Sequence, residues 1–368
     1  MSKYKIGVYA ISKNEEHFVD RWMDAVSEAD IVVVADTGST DDTVEKLRAR
    51  GALVYEEAIQ PWRFDTARNA AMDHLPMDVD ICVSNDLDEV FEPGWREKLE
   101  RAWTPAYTRA KYWFAWSHHQ DGGVDRRFHM EKIHRRQDFR WVRPVHEVLE
   151  YSGADPDRTV FIDDLLLHHF PDPEKPRSQY LPLLEMSVEE NPLDDRALFW
   201  LGREYFFYRQ YDQAIATFER YLDLPMAKWS EERGAAAYYT AQSYQGKGEM
   251  ALAKQWLFRG VGECPSTREP WLAMAQFGYN TRDWPLTFFA VERGLAIKDK
   301  TNSYLLDPAA WGYTLYDLGA ISCYYLDMTD EARAYGTAAL QQNPGDERLA
   351  RNLELILEKY RGGQGVSG

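Results

Sequence analysis

The stretch "DIVVVADTGSTDDTVEKLRARGALVYEE" (residues 30–57) decides how the first half of this chain is built. "DIVVVAD" (30–36) is a near-continuous apolar run, the kind a strand carries when both faces of a parallel sheet are covered. "GSTDDT" gives a turn and a helix start, and Gly51 marks the stop of "VEKLRAR". "ALVYEE" (52–57) returns as a second strand. The same grammar continues on either side. "KIGVYAI" (5–11) predicts a buried strand. "NEEHFVDRWMDAVSEA" (14–29) predicts a helix with Phe18, Trp22, Ala25 and Val26 on one face. "DTARNAAMDHL" (65–75) predicts a further helix and "DICVSND" (80–86) a fourth strand. Alternation of this kind implies an α/β domain with a parallel sheet, whose ligands bind beyond the carboxyl ends of the strands. Asp36 and Asp86 fall at two such ends.

At 368 residues the chain can bury at least one full core. A net charge of −17 argues against a generally basic nucleic-acid-binding surface, though it leaves room for a local basic groove. The three cysteines, Cys82, Cys264 and Cys323, are far apart and form no CxxC pair. That fits a reducing compartment without a disulfide framework or zinc knuckle. The first residues contain no apolar run long enough for a signal peptide, and no run approaches a membrane span. A cytoplasmic protein is expected.

From about residue 196 helical signals replace strand signals. Gly202, Ala214, Phe218 and Tyr221 recur, at the same internal offsets, as Ala241, Ala253, Leu257 and Gly260 and again as Ala320, Ala332, Gly336 and Ala339. A weaker copy contains Ala275, Gly278 and Gly294. Pro225, Pro265 and Pro344 close three of these copies. Small residues at fixed offsets let paired helices approach closely, and the pattern resembles tetratricopeptide repeats with an insertion between some copies. The expected organisation is an α/β domain over 1–170, a linker and docking helix over 171–195, helical repeats over 196–360 and a flexible tail over 361–368.

Within the α/β half, "VSNDLDEVF" (83–91) crowds Asp86, Asp88 and Glu89 where a strand ends. Carboxylates so placed suit Mg²⁺ or Mn²⁺, hard ions that share their shell with water and phosphates; a solvated acidic turn is the alternative. Arg68, early in the helix of "DTARNAAMDHL", is suited to bidentate phosphate contacts, and a helix N-terminus favours anions; a surface salt bridge is its alternative. Asp36 is positioned to accept from a base N–H or a ribose, unless it or its neighbours Ser39 and Asp41 serve as helix caps. A cation site, a phosphate-binding Arg and a base- or ribose-reading carboxylate together describe a site for a nucleoside diphosphate and its metal.

These residues resemble a known family. "NEE" after the first strand, "DTGSTDDT" after the second, Trp62 and Phe64 before "ARN" (67–69), "NDLDEVF", "RPVHEVLE" (143–150) and the histidine pair before "FPDPEKPRSQYLPLLE" are together similar to family 2 glycosyltransferases of GT-A fold. One subgroup of that family has tetratricopeptide repeats after its catalytic domain. The resemblance implies inversion at the anomeric carbon of a nucleotide-sugar donor, most often a UDP-sugar. It also implies Mn²⁺ or Mg²⁺ as cofactor. Carried over by position, Ala10, Ile11 and Glu16 lie around the nucleoside, Asp36 contacts the uracil and Arg68 the diphosphate. Asp86 and Asp88 form the D-x-D pair, with Asp88 the direct metal ligand and a later histidine, His168 rather than His169, completing the shell. Two departures stand out. Asn85 replaces an apolar residue before Asp86, and Arg143-Pro144 stands where a glycine is often found.

The acceptor must lose a proton as it attacks the sugar. The resemblance favours Glu147 as that base, with His146 orienting it or binding substrate. The residues alone equally allow His146 and Glu147 to be a satisfied structural pair. Trp116, in the aromatic run "KYWFAWSHH" (111–119), is a candidate for the acceptor site. "RRFHMEKIHRR" (126–136) is basic enough to meet a diphosphate or an anionic acceptor, or to be a charged strand edge. The expected partners are a nucleotide-sugar donor and a saccharide, peptide or protein acceptor. The repeats are expected to dock an acceptor or partner, or to form a homodimer. A sugar-nucleotide-binding scaffold that only binds, leaving the function to its repeats, is the alternative. A nucleotidyltransferase would need a Gly-rich triphosphate loop after the first strand, and "ISKNEE" has none.

Overall fold

The computed structural model describes residues 3–173 and 178–364, and the chain divides into two compact units, Met1–Glu190 and Asn191–Gly368. The first unit contains β1 (Ile6–Ser12), α1 (Val19–Ala25, continued by a 3-10 turn Val26–Glu28), β2 (Ile31–Asp36), α2 (Thr43–Ala49), β3 (Leu53–Glu56), α3 (Phe64–Asp73), β4 (Ile81–Ser84), β5 (Glu89–Phe91) and α4 (Trp95–Ala102). Then follow β6 (Arg109–His118), β7 (Val124–Arg135), β8 (Phe139–Val142), β9 (Val148–Tyr151), β10 (Thr159–His169) and α5 (Tyr180–Glu190).

An eight-stranded sheet has the order β3-β2-β1-β4-β7-β6-β10-β5. The first four of these run parallel, as the alternating strand and helix signals predict. Beyond them the sheet is mixed: β7 is antiparallel to β4 and β6, β10 runs parallel to β6, and β5 is antiparallel to β10. β8 and β9 form a separate antiparallel hairpin. One face of the sheet packs Trp22, Val26, Phe91, Trp95, Leu99 and Tyr112 into the larger core of the unit. On the other, Ala71, Met72 and Leu75 of and after α3 meet Tyr9, Val33 and Trp141.

β4 stops at Ser84, two residues short of the strand expected over 80–86. The cause is local. Asn85 is fully buried, its N–H still donates to the Tyr9 carbonyl at 3.1 Å, and its side-chain oxygen accepts from the Trp22 indole Nε1 at 2.7 Å. A polar residue at this strand end therefore answers a buried indole donor, which an apolar residue would leave unpaired.

The first unit ends beyond the boundary expected at 170. α5, expected as a docking helix within a linker over 171–195, falls in this unit, where Phe64 and His146 both stack with Tyr180 and Arg63 pairs with Glu190. Among the described residues no helix is long and apolar enough to cross a membrane.

The second unit is all helix: α6 (Asp195–Phe207), α7 (Tyr211–Asp223), α8 (Ser230–Gly246), α9 (Met250–Glu263), α10 (Glu269–Thr281), α11 (Trp284–Ala296), the short α12 (Pro308–Trp311), α13 (Thr314–Tyr325), α14 (Thr329–Gln342) and α15 (Glu347–Gln364). α6/α7, α8/α9, α10/α11 and α13/α14 pack as consecutive antiparallel hairpins. The recurring small residues sit where these hairpins close. A Cβ on Gly202 would lie 2.7 Å from the Phe218 ring, and one on Gly278 2.6 Å from Thr287 Oγ1. Each pair leaves an apolar face that the next pair covers, which is how such arrays build a continuous core. α15 continues to Gln364, into the segment expected as a tail; residues 365–368 lie outside those described.

Candidate functional site

The loop after β4 is laid out by one buried residue. Leu87 enters the core between Asp86 and Asp88, so these two carboxylates share the outward side of the loop. Asp86 N–H donates to Glu89 Oε2 at 3.0 Å, and Glu89 N–H donates to the Asp86 carbonyl at 2.9 Å, closing a tight turn into β5.

Asp86 is the hub of a buried charge network. Arg68, on α3, donates through Nη1 and Nη2 to both Asp86 oxygens at 2.5 and 2.9 Å, and through Nε to Glu147 Oε1. Lys132, on β7, bridges Asp86 Oδ2 at 3.0 Å and Glu89 Oε1 at 2.7 Å. Burial works to raise the Asp86 carboxyl, but Arg68 and Lys132 outweigh it and hold the group well below the usual carboxylate range. Burial pushes Glu89 up, as do the neighbouring Asp86 and Asp88 charges, against the pull of Lys132. Burial would lower Arg68 and Lys132, yet their carboxylate partners carry both upward and keep them charged. Arg68 is thus no surface salt bridge: its side chain is 8% exposed.

Asp88 stands apart from this network. His169 Nε2 lies 3.4 Å from its Oδ2, and although burial opposes it, the bond to Asp88 raises the imidazole. His168, expected beside Asp88, points elsewhere: its Nδ1 is 2.9 Å from His118 Nε2 and its Nε2 is 3.5 Å from Glu92. Strand alternation explains the difference. Neighbouring residues of β10 face opposite sides, and His169 is the one paired across from Glu89 of β5.

Glu147 is delivered by the β8–β9 hairpin. Asn69 clamps this hairpin to α3: its Nδ2 donates to the Trp141 carbonyl at 2.8 Å and its Oδ1 accepts from Trp141 N–H at 3.0 Å. The "ARN" triplet is thereby accounted for. Ala67 packs in the interior, Arg68 enters the charge network and Asn69 holds the hairpin. Arg143 adopts φ +80°, a conformation glycine enters readily, and His146 adopts φ +51°. Positive φ at two non-glycine residues marks a loop whose shape is imposed by its surroundings. The His146 ring stacks on Tyr180 at 5.7 Å between centroids.

Asp36 serves its own loop. It accepts from Ser12 Oγ at 2.8 Å, Gly38 N at 3.0 Å, Ser39 N at 2.9 Å and Ser39 Oγ at 2.5 Å. These four bonds occupy its lone pairs, and a base N–H reaching this carboxylate would have to displace one of them. Ala10 is buried in β1, Ile11 is half-buried beside the Tyr9 and Trp141 cluster, and Glu16 pairs with Lys46 at 3.2 Å. The loops after β1 and β2 are laced together: Asn14 N donates to Ser39 Oγ, Thr40 N to Asn14 Oδ1, and Glu16 N to Asp41 Oδ2.

Two features escaped the sequence. Lys132 lay within a basic run whose strand period alone would have assigned it to the face of Phe128 and Met130. The second is a buried chain beneath the site. Trp141 Nε1 donates to Tyr9 Oη at 2.8 Å, Tyr9 Oη meets His134 Nε2 at 2.9 Å, and His134 Nδ1 meets the Arg135 carbonyl at 2.7 Å. The carbonyl requires a proton on His134 Nδ1, and burial favours the neutral ring, which accepts at Nε2 from Tyr9. Burial lowers the His134 pKa to about 3.

Among the described residues no three metal-ligating side chains converge. Asp86 is committed to cations. Asp88 and His169 remain a fitting pair, because two adjacent ligands of an octahedral ion at its usual bond lengths stand roughly 3 Å apart, and a carboxylate with an imidazole suits Mn²⁺.

No model of a known protein family matches the chain. The helical region matches structures of tetratricopeptide-repeat proteins. YrrB, described as such a protein with an unusual peptide-binding site, is 15% identical over 48% of this chain and 84% of its own, with a TM-score of 0.39. A thermophilic repeat protein of Thermus thermophilus is 20% identical over 48% of this chain and 88% of its own, with a TM-score of 0.32. A partial similarity links the chain to glucosyl-3-phosphoglycerate synthase from Mycobacterium tuberculosis, solved with Mn²⁺, UDP and glucosyl-3-phosphoglycerate. It is 24% identical over 30% of this chain and 44% of that one, with a TM-score of 0.27.

Proposed function

We propose that the first unit is a metal-dependent inverting glycosyltransferase that takes its sugar from a nucleotide-sugar donor, in the first instance a UDP-sugar. The observation that carries this is the pairing of Asp88 with His169 beside the Arg68–Asp86–Glu147 network, at the carboxyl end of the parallel strands. Asp88 and His169 would hold Mn²⁺ or Mg²⁺, with water and donor phosphates filling the remaining positions. When bound, the ion supplies charge neutralisation for the departing diphosphate.

The chain's own groups supply the rest. Arg68, fixed and always charged, donates to Asp86 and Glu147, and to bind the donor diphosphate it would exchange some of these bonds for phosphate oxygens. The acceptor attacks the anomeric carbon from the face opposite the diphosphate. Its new bond to that carbon forms as the carbon–oxygen bond to the phosphate breaks, and the electron pair leaves on the diphosphate. The acceptor's proton passes to Glu147. Arg68 engages Oε1 of this carboxylate, so Oε2 is the oxygen that takes the proton. The loops after β1 and β2, with Ala10, Ile11, Glu16 and Asp36, would frame the nucleoside, and the helical repeats would dock an acceptor, a protein partner or a second copy of the chain.

A second reading draws on one specific observation: Arg68 holds both Asp86 and Glu147, as it would in a binding scaffold that performs no transfer. Incubation with UDP-glucose and a panel of other sugar nucleotides in Mn²⁺, followed by measurement of free UDP, separates the two. The transferase releases UDP by slow hydrolysis, whereas the scaffold binds a donor and releases none. Glu147→Gln should still bind the donor and stop transfer; lost donor binding would contradict its role as base.

A further inference from the structure

The β6–β7 hairpin carries an aromatic and a cationic side chain that lie outside the charge network. The register of the two strands slips at three points, one of them at Trp116. Ala115 pairs with Arg127, but Ser117 pairs with Arg126, so Trp116 is an extra residue on β6. Such bulges re-aim side chains and are frequent next to active sites. Trp116 is 46% exposed, and its ring stacks on His169 at 4.8 Å between centroids, with an interplanar angle of 26°. His169 is the residue that meets Asp88. The exposed indole therefore borders the metal pair.

Arg126 pairs across the strands with Ser117, the residue after Trp116. Phe128, two residues along β7, contacts both Phe114 and Trp116, whereas the Arg127 guanidinium lies over Trp113 at 4.1 Å on the opposite face. Alternation along β7 thus assigns Arg126 to the side of Trp116. Arg126 Nε is buried and has no hydrogen-bond partner, and among the described residues no carboxylate pairs with this guanidinium. In a chain with 60 acidic residues and 43 basic ones, a half-buried arginine with an unsatisfied Nε, on the same strand face as an exposed tryptophan, offers a place for an anionic ligand. An indole face accepts the apolar side of a ring, and a guanidinium selects a carboxylate or phosphate.

We infer that Trp116 and Arg126 form the acceptor subsite, and that the acceptor is an anionic molecule with a ring: a sugar or aryl group bearing a carboxylate or phosphate. The inference rests on the glycosyltransferase reading for the word acceptor; the ligand preference itself does not need turnover. Binding of phenyl β-glucuronide, phenyl β-glucoside 6-phosphate and neutral phenyl β-glucoside to the full chain, measured by calorimetry, tests it. At least one anionic compound should bind about tenfold or more tightly than the neutral one. Arg126→Ala should erase that preference and Trp116→Ala should weaken all three. Arg127→Ala, which removes the same charge from the opposite face, should keep the preference. Equal binding of all three compounds to the unaltered protein, or a preference that survives Arg126→Ala, overturns the proposal. If the preference holds while no sugar nucleotide releases UDP, the subsite stands and the transferase reading fails. If UDP is released but no anionic preference is found, the transferase reading stands and the subsite fails.

Discussion

Arg68 and Asp86 are joined by two parallel hydrogen bonds, so that helix α3 and the acidic loop after β4 are held as one rigid piece. Arg68 is buried and Asp86 largely so, and each faces the other's charge. Removing one partner of a buried pair leaves an uncompensated charge, which typically costs about 3–5 kcal/mol. Arg68→Ala should lower the unfolding free energy of the first unit by that order in denaturant titrations. The double variant Arg68→Met/Asp86→Leu should recover part of it. A loss below about 1 kcal/mol for the single variant would show that the pair is not buried in solution.

Asn85 should be as sensitive for its size. Asn85→Leu leaves the Trp22 indole N–H unpaired in the core, at a cost of about 1–3 kcal/mol. In a double-mutant cycle with Trp22→Phe, whose ring carries no donor, the two losses should be less than additive. Strict additivity would mean that the hydrogen bond contributes nothing.

Acid stability should depend on His134. Unfolded, this imidazole titrates near 6.5; folded, it stays neutral until about pH 3. Between these values the unfolded state binds more protons, so stability falls as pH drops below 6.5, at up to about 1.4 kcal/mol per pH unit from this group. Depressed carboxylates such as Asp86 act only lower, losing their contribution as pH falls below the ordinary carboxylate range. His134→Gln should be less stable at about pH 7.5 and have a shallower decline between about pH 6.5 and 4.5. Parallel declines in the two proteins would exclude His134 as the cause.

Much of this architecture was legible in the sequence because periodicity reports burial. The apolar runs of β1, β2 and β4 and the recurring small residues of the repeats announce their surroundings directly. The segments of β6, β7 and β10 could be read as strands, but a strand period does not say which strand pairs with which, and the mixed half of the sheet was not foreseen. The site divides the same way. Asp86, Asp88, Arg68 and Glu147 could be named from their order along the chain. Which oxygen meets which cation could not, because it depends on contacts between residues far apart in sequence, such as Lys132 with Asp86. His168 and His169 show the limit most plainly. They are adjacent and identical in type, and only the register of β10 against β5 separates them.

That pair also offers the sharpest probe of the proposed metal-dependent transfer. UDP released from a UDP-sugar would be measured against Mn²⁺ concentration for the unaltered protein, His169→Ala and His168→Ala, with chelator-treated protein as the baseline. A metal held by Asp88 and His169 requires metal-dependent release in the unaltered protein, retained in His168→Ala. In His169→Ala release should be lost, or shifted to Mn²⁺ concentrations about tenfold higher or more. Release that ignores the chelator, or that survives unchanged in His169→Ala, would refute it.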